Sequence, residues 1–136
     1  MEDDSSETTA ASPTILVVED DDAVRDTTVA ILRQAGYVVE EGENGYIALV
    51  QLRSNPRIKV VLLDVHMPGL DGLSLLDQID VPPPVILMTA WQRNAEIDAR
   101  ASKIFAYLRK PVKPTDLLDV VEWAVAASGG PTSSPR

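Results

Sequence analysis

The chain contains 136 residues, of which 45% are hydrophobic, and it carries a formal net charge of −9 at pH 7. This size is typical of one globular domain with a buried core. The acidic excess argues against direct binding to nucleic acid, which requires clustered Lys and Arg. No apolar run approaches the ~20 residues of a membrane span. The absence of cysteine excludes disulfides and thiolate metal sites. These features predict a cytoplasmic protein that contacts neither nucleic acid nor a membrane.

Both ends of the chain differ in composition from the middle. Residues 1–13 are rich in Ser and Thr, contain four acids and no base, and are predicted to be a disordered acidic tail. This segment also lacks the cationic start and apolar stretch of a signal peptide. Residues 128–136, rich in Gly, Ser and Pro, predict a flexible tail or the start of a linker. The folded domain is therefore expected over residues 14–127.

Between these tails, short apolar runs typical of buried strands alternate with segments of helical spacing. In the first helix the apolar spacing predicts a buried face formed by Val24, Thr28, Ile31 and Ala35, with Gly36 as the C-terminal cap. Five βα units with right-handed crossovers predict an α/β fold: a five-stranded parallel sheet, doubly wound, with helices on both faces. The expected strands are Thr14–Glu19, Tyr37–Glu40, Lys59–Leu63, Val85–Met88 and Ile104–Leu108; the expected helices are Asp22–Ala35, Ala48–Leu52, Leu73–Ile79, Trp91–Ser102 and Pro114–Ala127.

Polar side chains follow four of the predicted strands at the point where each strand ends. Glu19 and Asp20 follow the first strand, Asp64 the third, Thr89 the fourth and Lys110 the fifth. The carboxyl ends of parallel strands form one edge of the sheet, and open α/β sheets bind their ligands there. We therefore expect carboxylates, a hydroxyl and one ammonium to meet at this edge.

This set of groups suits the transfer of a phosphoryl group to a carboxylate in the presence of Mg²⁺. The cation prefers oxygen ligands and commonly uses one or two carboxylates. Asp20 and Asp64 can supply these, with Glu19 binding directly or through water. Phosphoryl transfer depends mainly on positioning and charge neutralisation, so the cation and the Lys110 ammonium would flank the phosphoryl oxygens. The Thr89 hydroxyl would donate a hydrogen bond to one of them.

Four motifs, in matching order and spacing, resemble the response regulator receiver domains of bacterial two-component systems. They are LVVED at residues 16–20, LDVHMPGLDG at 63–72, MTA at 88–90 and KP at 110–111. The resemblance covers residues 14 to about 127 and implies the CheY-like form of the flavodoxin-like fold. It also implies a signalling phospho-acceptor, whose only chemistry is its own phosphorylation and dephosphorylation, rather than a metabolic enzyme.

The resemblance implies a role for each residue of the predicted site. Asp64 would accept a phosphoryl group from a sensor histidine kinase or a phosphotransfer protein. Thr89 and Lys110 would contact that group, and the Lys110–Pro111 peptide would be cis. The Mg²⁺ ligands would be Glu19, Asp20, Asp64 and the backbone carbonyl of His66.

The resemblance further implies that phosphorylation changes a partner-binding surface. Thr89 and Tyr107 would form the switch, since Thr89 would move toward the phosphoryl group and vacate space that Tyr107 can occupy. The surface would consist of the fourth helix, the fifth strand and the fifth helix, and would bind a downstream protein or a second copy. Its expected charged residues are Asp98, Arg100, Lys103, Arg109, Asp116 and Asp119.

The resemblance also implies that two side chains control the access of water to the phosphoryl group. They are His66, two residues after the acceptor, and Trp91, two residues after the threonine. Neither is a carboxamide or carboxylate that would orient an attacking water, which predicts slow self-hydrolysis. Two positions depart from the family pattern: Lys103 replaces a common glycine, and Lys113 replaces the usual cap of the last helix.

Three alternative functions are open for a chain with this sheet edge. An aspartyl-phosphate phosphohydrolase generally carries a second Asp two residues after its nucleophile, where this chain has His66. A flavodoxin-like cofactor binder needs a phosphate-cradling loop after the first strand, where this chain has the four acids at residues 19–22. A receiver-like interaction module that is never phosphorylated would not require the intact set of site residues.

Overall fold

The structure is a computed structural model that describes residues 13–67, 69–90, 92 and 94–128. Most of both predicted tails therefore lies outside the described residues. The same holds for Trp91 and its predicted role as a gate. Among the described helices, none combines the length and the apolar character needed to cross a membrane.

The described residues form five strands: β1 (Thr14–Val18), β2 (Val38–Gly42), β3 (Ile58–Asp64), β4 (Val85–Thr89) and β5 (Ala106–Arg109). All pairs are parallel, and the order across the sheet is β2-β1-β3-β4-β5. The central strands β1, β3 and β4 are almost wholly buried, because a parallel sheet of this kind is covered by helices on both faces. The predicted doubly wound α/β fold is confirmed.

The helices of the described chain form one layer on each face of the sheet. They are α1 (Asp22–Gln34), α2 (Gly45–Ser54), α3 (Gly72–Asp77), α4 (Ala95–Asp98) and α5 (Pro114–Ser128). Residues of α1 and α5 share a core with Ile15 and Val17, and residues of α2, α3 and α4 share the opposite core with Leu16 and Val18. This division follows from the two-residue alternation of side chains along a strand. Because the helices cover both faces of the sheet, a functional site can form at the loops of its carboxyl edge.

Four helices begin with a side-chain cap at that edge. Asp21, Asn44, Asp71 and Asn94 each accept a hydrogen bond from the backbone N–H three residues later, at 2.8–3.0 Å. Such a cap stabilises a helix by about 1 kcal/mol. Each cap closes the loop that follows a strand, so four of the loops at the carboxyl edge are held at both ends.

The predicted buried face of α1 was wrong by about one residue. Val24 is 37% exposed, and Thr28 is the one predicted member that the structure buries. The difference arises because a charged residue, Arg25, turns toward the sheet and finds acceptors there. The buried residues of this helix are Arg25, Thr28, Val29 and Leu32.

The fourth helix is much shorter than the predicted Trp91–Ser102. Asn94 caps α4 at its start, and the helix ends at Asp98. A separate 3₁₀ turn follows at Ala101–Lys103. In this turn the backbone N–H groups of Arg100 and Lys103 donate to carbonyls three residues earlier, those of Ile97 and Arg100. The 3₁₀ turn is how the chain reaches β5 with Lys103 in place of the common glycine.

Two basic side chains of this segment bind the end of α3. Lys103 Nζ donates to the carbonyl oxygens of Leu76 and Ile79, at 2.9 and 2.6 Å. Arg100 forms a two-pronged contact with Asp77, Nε to Oδ1 at 2.9 Å and Nη2 to Oδ2 at 2.8 Å. Arg100 and Lys103 therefore also bind within the chain, and their place on the predicted partner surface stays a prediction.

Candidate functional site

Three carboxylates meet at the carboxyl edge of the sheet. Glu19 and Asp20 lie in the loop between β1 and α1, and Asp64 is the last residue of β3. Their side-chain oxygens lie within 4.8 Å of one another. Glu19 and Asp64 are only 1% and 3% exposed, whereas Asp20 is exposed. The predicted grouping of acids at this edge is therefore present, with one carboxylate open to solvent.

Lys110 supplies the positive charge of this cluster. Its Nζ lies 2.7 Å from Glu19 Oε1 and 3.4 Å from Asp64 Oδ1. Its backbone N–H donates to the Thr89 carbonyl at 2.8 Å, which ties the loop after β5 to the end of β4. The Lys110–Pro111 peptide is cis, as predicted.

The electrostatic environment of the cluster favours a further cation. Burial raises the pKa of Glu19, in spite of the hydrogen bond from Lys110, and the nearby charge of Asp64 raises it further. Burial alone would lower the pKa of Lys110, but its hydrogen bond to Glu19 and the charges of Asp64 and Glu19 raise it overall. Three ionised carboxylates and one ammonium sum to a formal charge of −2 (−3 + 1). Oxygen donors with this charge fit a hard divalent cation such as Mg²⁺.

Every polar atom of Glu19 has a partner. Its N–H donates to the Gly42 carbonyl at 3.0 Å, and its carbonyl accepts from Arg25 Nη1 at 2.7 Å. Its Oε2 accepts from the Asp21 N–H at 3.2 Å, and its Oε1 from Lys110. The sequence analysis did not predict a role for Arg25. The available signal was its spacing, since a basic residue three positions after Asp22 can form an ion pair with it on the helix surface.

The loop after Asp64 packs tightly against the end of its strand. The His66 N–H donates to Asp64 Oδ1 at 3.3 Å, and the His66 side chain is exposed. A Cβ at Gly72 would lie 2.5 Å from the Asp64 carbonyl oxygen, and one at Gly45 would lie 2.0 Å from that of Leu70. Glycine at these two positions lets the loop approach both β3 and α2.

The two predicted switch residues lie on adjacent strands. Thr89 is fully buried at the end of β4, directly after Met88, which is the register partner of Asp64. Tyr107 lies on β5 opposite Leu87 and is half-buried. A cavity of about 110 Å³ adjoins Tyr107 and is also lined by Ile97 and Ile104. Tyr107 therefore has free space beside it on the α4 side.

Comparison with known proteins gives a family match over most of the chain. The sequence matches the family model described as the response regulator receiver domain over residues 15–122. The transcriptional regulatory protein PdtaR of Mycobacterium tuberculosis is 34% identical over 107 residues, which cover 76% of this chain and 52% of that protein. The DNA-binding transcriptional regulator NtrC of Salmonella typhimurium is 38% identical over 99 residues, which cover 70% of this chain and 21% of that protein. The chain thus spans about half the length of the first relative and about a fifth of the second.

Solved structures show the same fold. A CheY-like response regulator receiver domain protein from Methanospirillum hungatei JF-1 superposes with a TM-score of 0.78 at 25% identity, covering 87% of this chain and 97% of that chain. The receiver domain of the Francisella response regulator 1452 gives a TM-score of 0.76 at 25% identity, covering 86% and 99%. The similarity therefore extends over the whole sheet and its helices.

Proposed function

This chain belongs to the response regulator receiver domain family of two-component systems, and from that premise we propose that it accepts a phosphoryl group on Asp64. The observation that carries the proposal is the environment of this carboxylate. Asp64 is 3% exposed at the end of a central strand, with the Lys110 ammonium 3.4 Å away and two further carboxylates within 4.8 Å. A buried acid with this neighbourhood is a functional-site candidate on physical grounds.

The metal of the proposed site is Mg²⁺. Its ligands would be the carboxylates of Glu19, Asp20 and Asp64 and the backbone carbonyl of His66, all of them oxygen donors of the kind that Mg²⁺ requires. When bound, the cation neutralises charge on the phosphoryl oxygens. The exposure of Asp20 supports this assignment, since Mg²⁺ keeps several of its waters.

The donor would be a phosphohistidine of a sensor kinase or phosphotransfer protein. An Asp64 carboxylate oxygen forms a bond to phosphorus while the P–N bond of the phosphohistidine breaks. The imidazole leaves with the electron pair of that bond. It leaves as a neutral ring when its other nitrogen carries a proton. Asp64 must be ionised for this step, and the raised pKa of Lys110 supports an ammonium that keeps its charge beside it.

Lys110 and Thr89 would bind the transferred group. Lys110 lies within reach of Asp64 and would exchange its bond to Glu19 for one to a phosphoryl oxygen. The Thr89 hydroxyl, at the end of the neighbouring strand, would donate to a second oxygen. Fixed donors of this kind stabilise charge that develops during transfer.

The proposed output is a change in the surface formed by α4, β5 and α5. Movement of Thr89 toward the phosphoryl group would free space at the end of β4, and Tyr107, half-buried beside a cavity, is placed to change its packing. A local charge change that selects between two packings is a common form of switch. A downstream protein or a second copy would read this surface. Its charged residues are Asp98, Arg100, Lys103, Arg109, Asp116 and Asp119, of which Arg100 and Lys103 also bind within the chain.

Phosphorylation by a small donor tests this function. Acetyl phosphate with Mg²⁺ should modify the chain once and add ~80 Da, the mass of a phosphoryl group. Asp64→Asn and chelation of the metal should each abolish the modification. Asp71→Asn is the matched control, because Asn caps a helix as well as Asp and α3 should be retained. Full modification of the Asp64→Asn protein would refute the assignment.

A further inference from the structure

Arg25 is a buried cation beside the acidic loop, and none of the roles described so far uses it. It lies in the first turns of α1 and is 9% exposed. Its guanidinium donates to three acceptors: the Glu19 carbonyl at 2.7 Å, Asp22 Oδ1 at 2.6 Å and Glu41 Oε1 at 3.3 Å. These acceptors belong to the β1–α1 loop, to α1 and to β2. One side chain thus joins three segments around the acidic pair.

The bond to the Glu19 carbonyl acts on the orientation of the acidic pair. That carbonyl belongs to the peptide group joining Glu19 to Asp20, so the guanidinium restrains the rotation of this peptide. Glu19 is also held at its N–H and at both carboxylate oxygens. Asp20 is exposed, and its direction therefore depends on the peptide group that Arg25 holds.

We propose that Arg25 is a positioning residue for the divalent-cation site, which it serves by fixing the Glu19–Asp20 peptide so that both carboxylates converge with Asp64. This inference rests on the proposed function only in taking that cluster to be the metal site. Residues that orient metal ligands from behind typically change metal affinity by ten- to a hundredfold when replaced. Arg25 is suited to the task because its planar fork binds several acceptors in fixed directions, which a lysine ammonium on a flexible stem does not reproduce.

Positioning and simple electrostatics predict opposite results at this residue. A cation bound to the backbone of a ligand residue repels Mg²⁺ nearby, so its removal by itself would strengthen metal binding. If Arg25 positions the ligands, its removal weakens metal binding although the local charge becomes more negative. Arg25→Lys separates the two effects further, because it keeps the charge and loses the three-way geometry.

Arg33 offers a matched control on the same helix. It approaches the same partner, Glu41 Oε2, at 3.7 Å and donates to the Val39 carbonyl at 3.0 Å. Both of these contacts are with β2 rather than with the β1–α1 loop, and the Arg33 side chain is 53% exposed. Arg33→Met therefore removes an arginine from α1 and a contact to Glu41 while leaving the Glu19 carbonyl bond in place.

The test is titration of the full chain with Mg²⁺ by calorimetry, with urea unfolding of each variant to measure its folded fraction. Arg25→Met and Arg25→Lys should bind Mg²⁺ about ten- to a hundredfold more weakly than wild type, and Arg33→Met within about twofold of wild type. At saturating Mg²⁺ the two Arg25 variants should recover most of the rate of phosphorylation by acetyl phosphate. Lost folding would instead lower the amount of active protein and leave the Mg²⁺ affinity of the folded fraction unchanged.

The possible results are distinct. Equal or tighter binding in Arg25→Met overturns the inference, as does an equal loss in Arg33→Met or the absence of Mg²⁺ binding in wild type. If Arg25→Met fails to fold, Arg25→Lys is compared with wild type instead. If neither variant folds at saturating Mg²⁺, Arg25 is required for folding, and this result also overturns the inference. Wild type that binds Mg²⁺ but accepts no phosphoryl group would remove the proposed function and leave this inference standing.

Discussion

The side-chain ammonium of Lys110 donates to Glu19 Oε1 at 2.7 Å, although 91 positions separate the two residues in the sequence. The contact joins the loop after β5 to the loop after β1, across the ends of the two strands between them. Asp64 is the more distant partner of the ammonium, at 3.4 Å. In this state the acidic pair therefore competes with the proposed acceptor for Lys110. Neutralisation of the pair by a bound cation would release the ammonium toward Asp64.

Replacement of Lys110 should separate metal binding from phosphoryl transfer. Lys110→Met removes a cation from the acidic cluster, so Mg²⁺ should bind more tightly. Phosphorylation by acetyl phosphate should slow by about a hundredfold, the order found when one fixed donor to a developing charge is lost. Calorimetry and a phosphorylation time course measure the two effects. Lys113→Met, at a nearby exposed position, should change neither, and weaker Mg²⁺ binding in Lys110→Met would contradict the competition described above.

The pH dependence of metal binding should report on Glu19. Its pKa is raised by burial, so protonation begins at a higher pH than for an exposed glutamate, and protons compete with Mg²⁺ as the pH falls. The stabilisation that Mg²⁺ confers, which grows as RT ln(1 + [Mg²⁺]/Kd), should therefore shrink on acidification from neutral pH. Urea unfolding with and without Mg²⁺ over a range of pH measures this change, and Glu19→Gln should flatten it. An identical pH slope in the variant would assign the proton to another group.

In the absence of metal, the same raised pKa has the opposite sign for stability. Because the folded state holds the Glu19 proton more tightly than the unfolded state, this group contributes stability that is present below its ordinary value of 4.5. That contribution is lost as the pH rises through the folded-state pKa. As the pH rises through the folded-state pKa of Glu19, metal-free protein should therefore lose part of its stability. Over the same pH range the Mg²⁺-bound protein should become more stable.

Tyr107 should couple phosphorylation to association. Tyr107→Ala should retain one phosphoryl group per chain and lose phosphate-dependent self- or partner association, because the side chain placed beside the cavity at α4 is removed. Sedimentation with and without acetyl phosphate and Mg²⁺ measures self-association. Tyr46→Ala is a suitable control, since it removes an aromatic ring on α2 that is 61% exposed and does not line this cavity. Unchanged phosphate-dependent association in Tyr107→Ala would remove this residue from the switch.

The phosphorylated state should be long-lived. The exposed His66 side chain and Trp91 stand at the positions expected to limit the approach of water to phosphorus. His66→Asn and Trp91→Ala should each lose the phosphoryl group faster than wild type. A tenfold change requires only ~1.4 kcal/mol of barrier. Decay of the added mass after removal of the donor provides the measurement, and equal or slower decay in both variants would rule out the gate.

The strands and the main site residues could be predicted because their signals are local. The runs that became β1, β3 and β4 are continuous apolar segments, as strands buried on both faces require. Asp64, Thr89 and Lys110 each stand at a strand end, and the parallel topology alone brings such ends to one edge. Glu19 and Asp20 lie at the same edge because they directly follow β1.

The errors arose where a side chain binds a distant part of the chain. Arg25 occupies a buried position because Glu19 and Glu41 accept from it, and helical spacing of apolar residues does not register such partners. The fourth helix ends early although its residues allow a longer one. Arg100 and Lys103 bind α3, more than twenty positions away in sequence. A cap was available as a local signal at Asn94, and it marks the true start of α4.

The contacts of Arg100 and Lys103 with α3 have a mechanical consequence. Four hydrogen bonds, all donated by charged groups, join the turn between α4 and β5 to the end of α3 and to Ile79 just beyond it. Any displacement of that turn must either break these bonds or carry the end of α3 with it. A glycine at residue 103 would lose the two bonds donated by Lys103 and leave only those of Arg100. We therefore expect the turn and the end of α3 to move together as one unit.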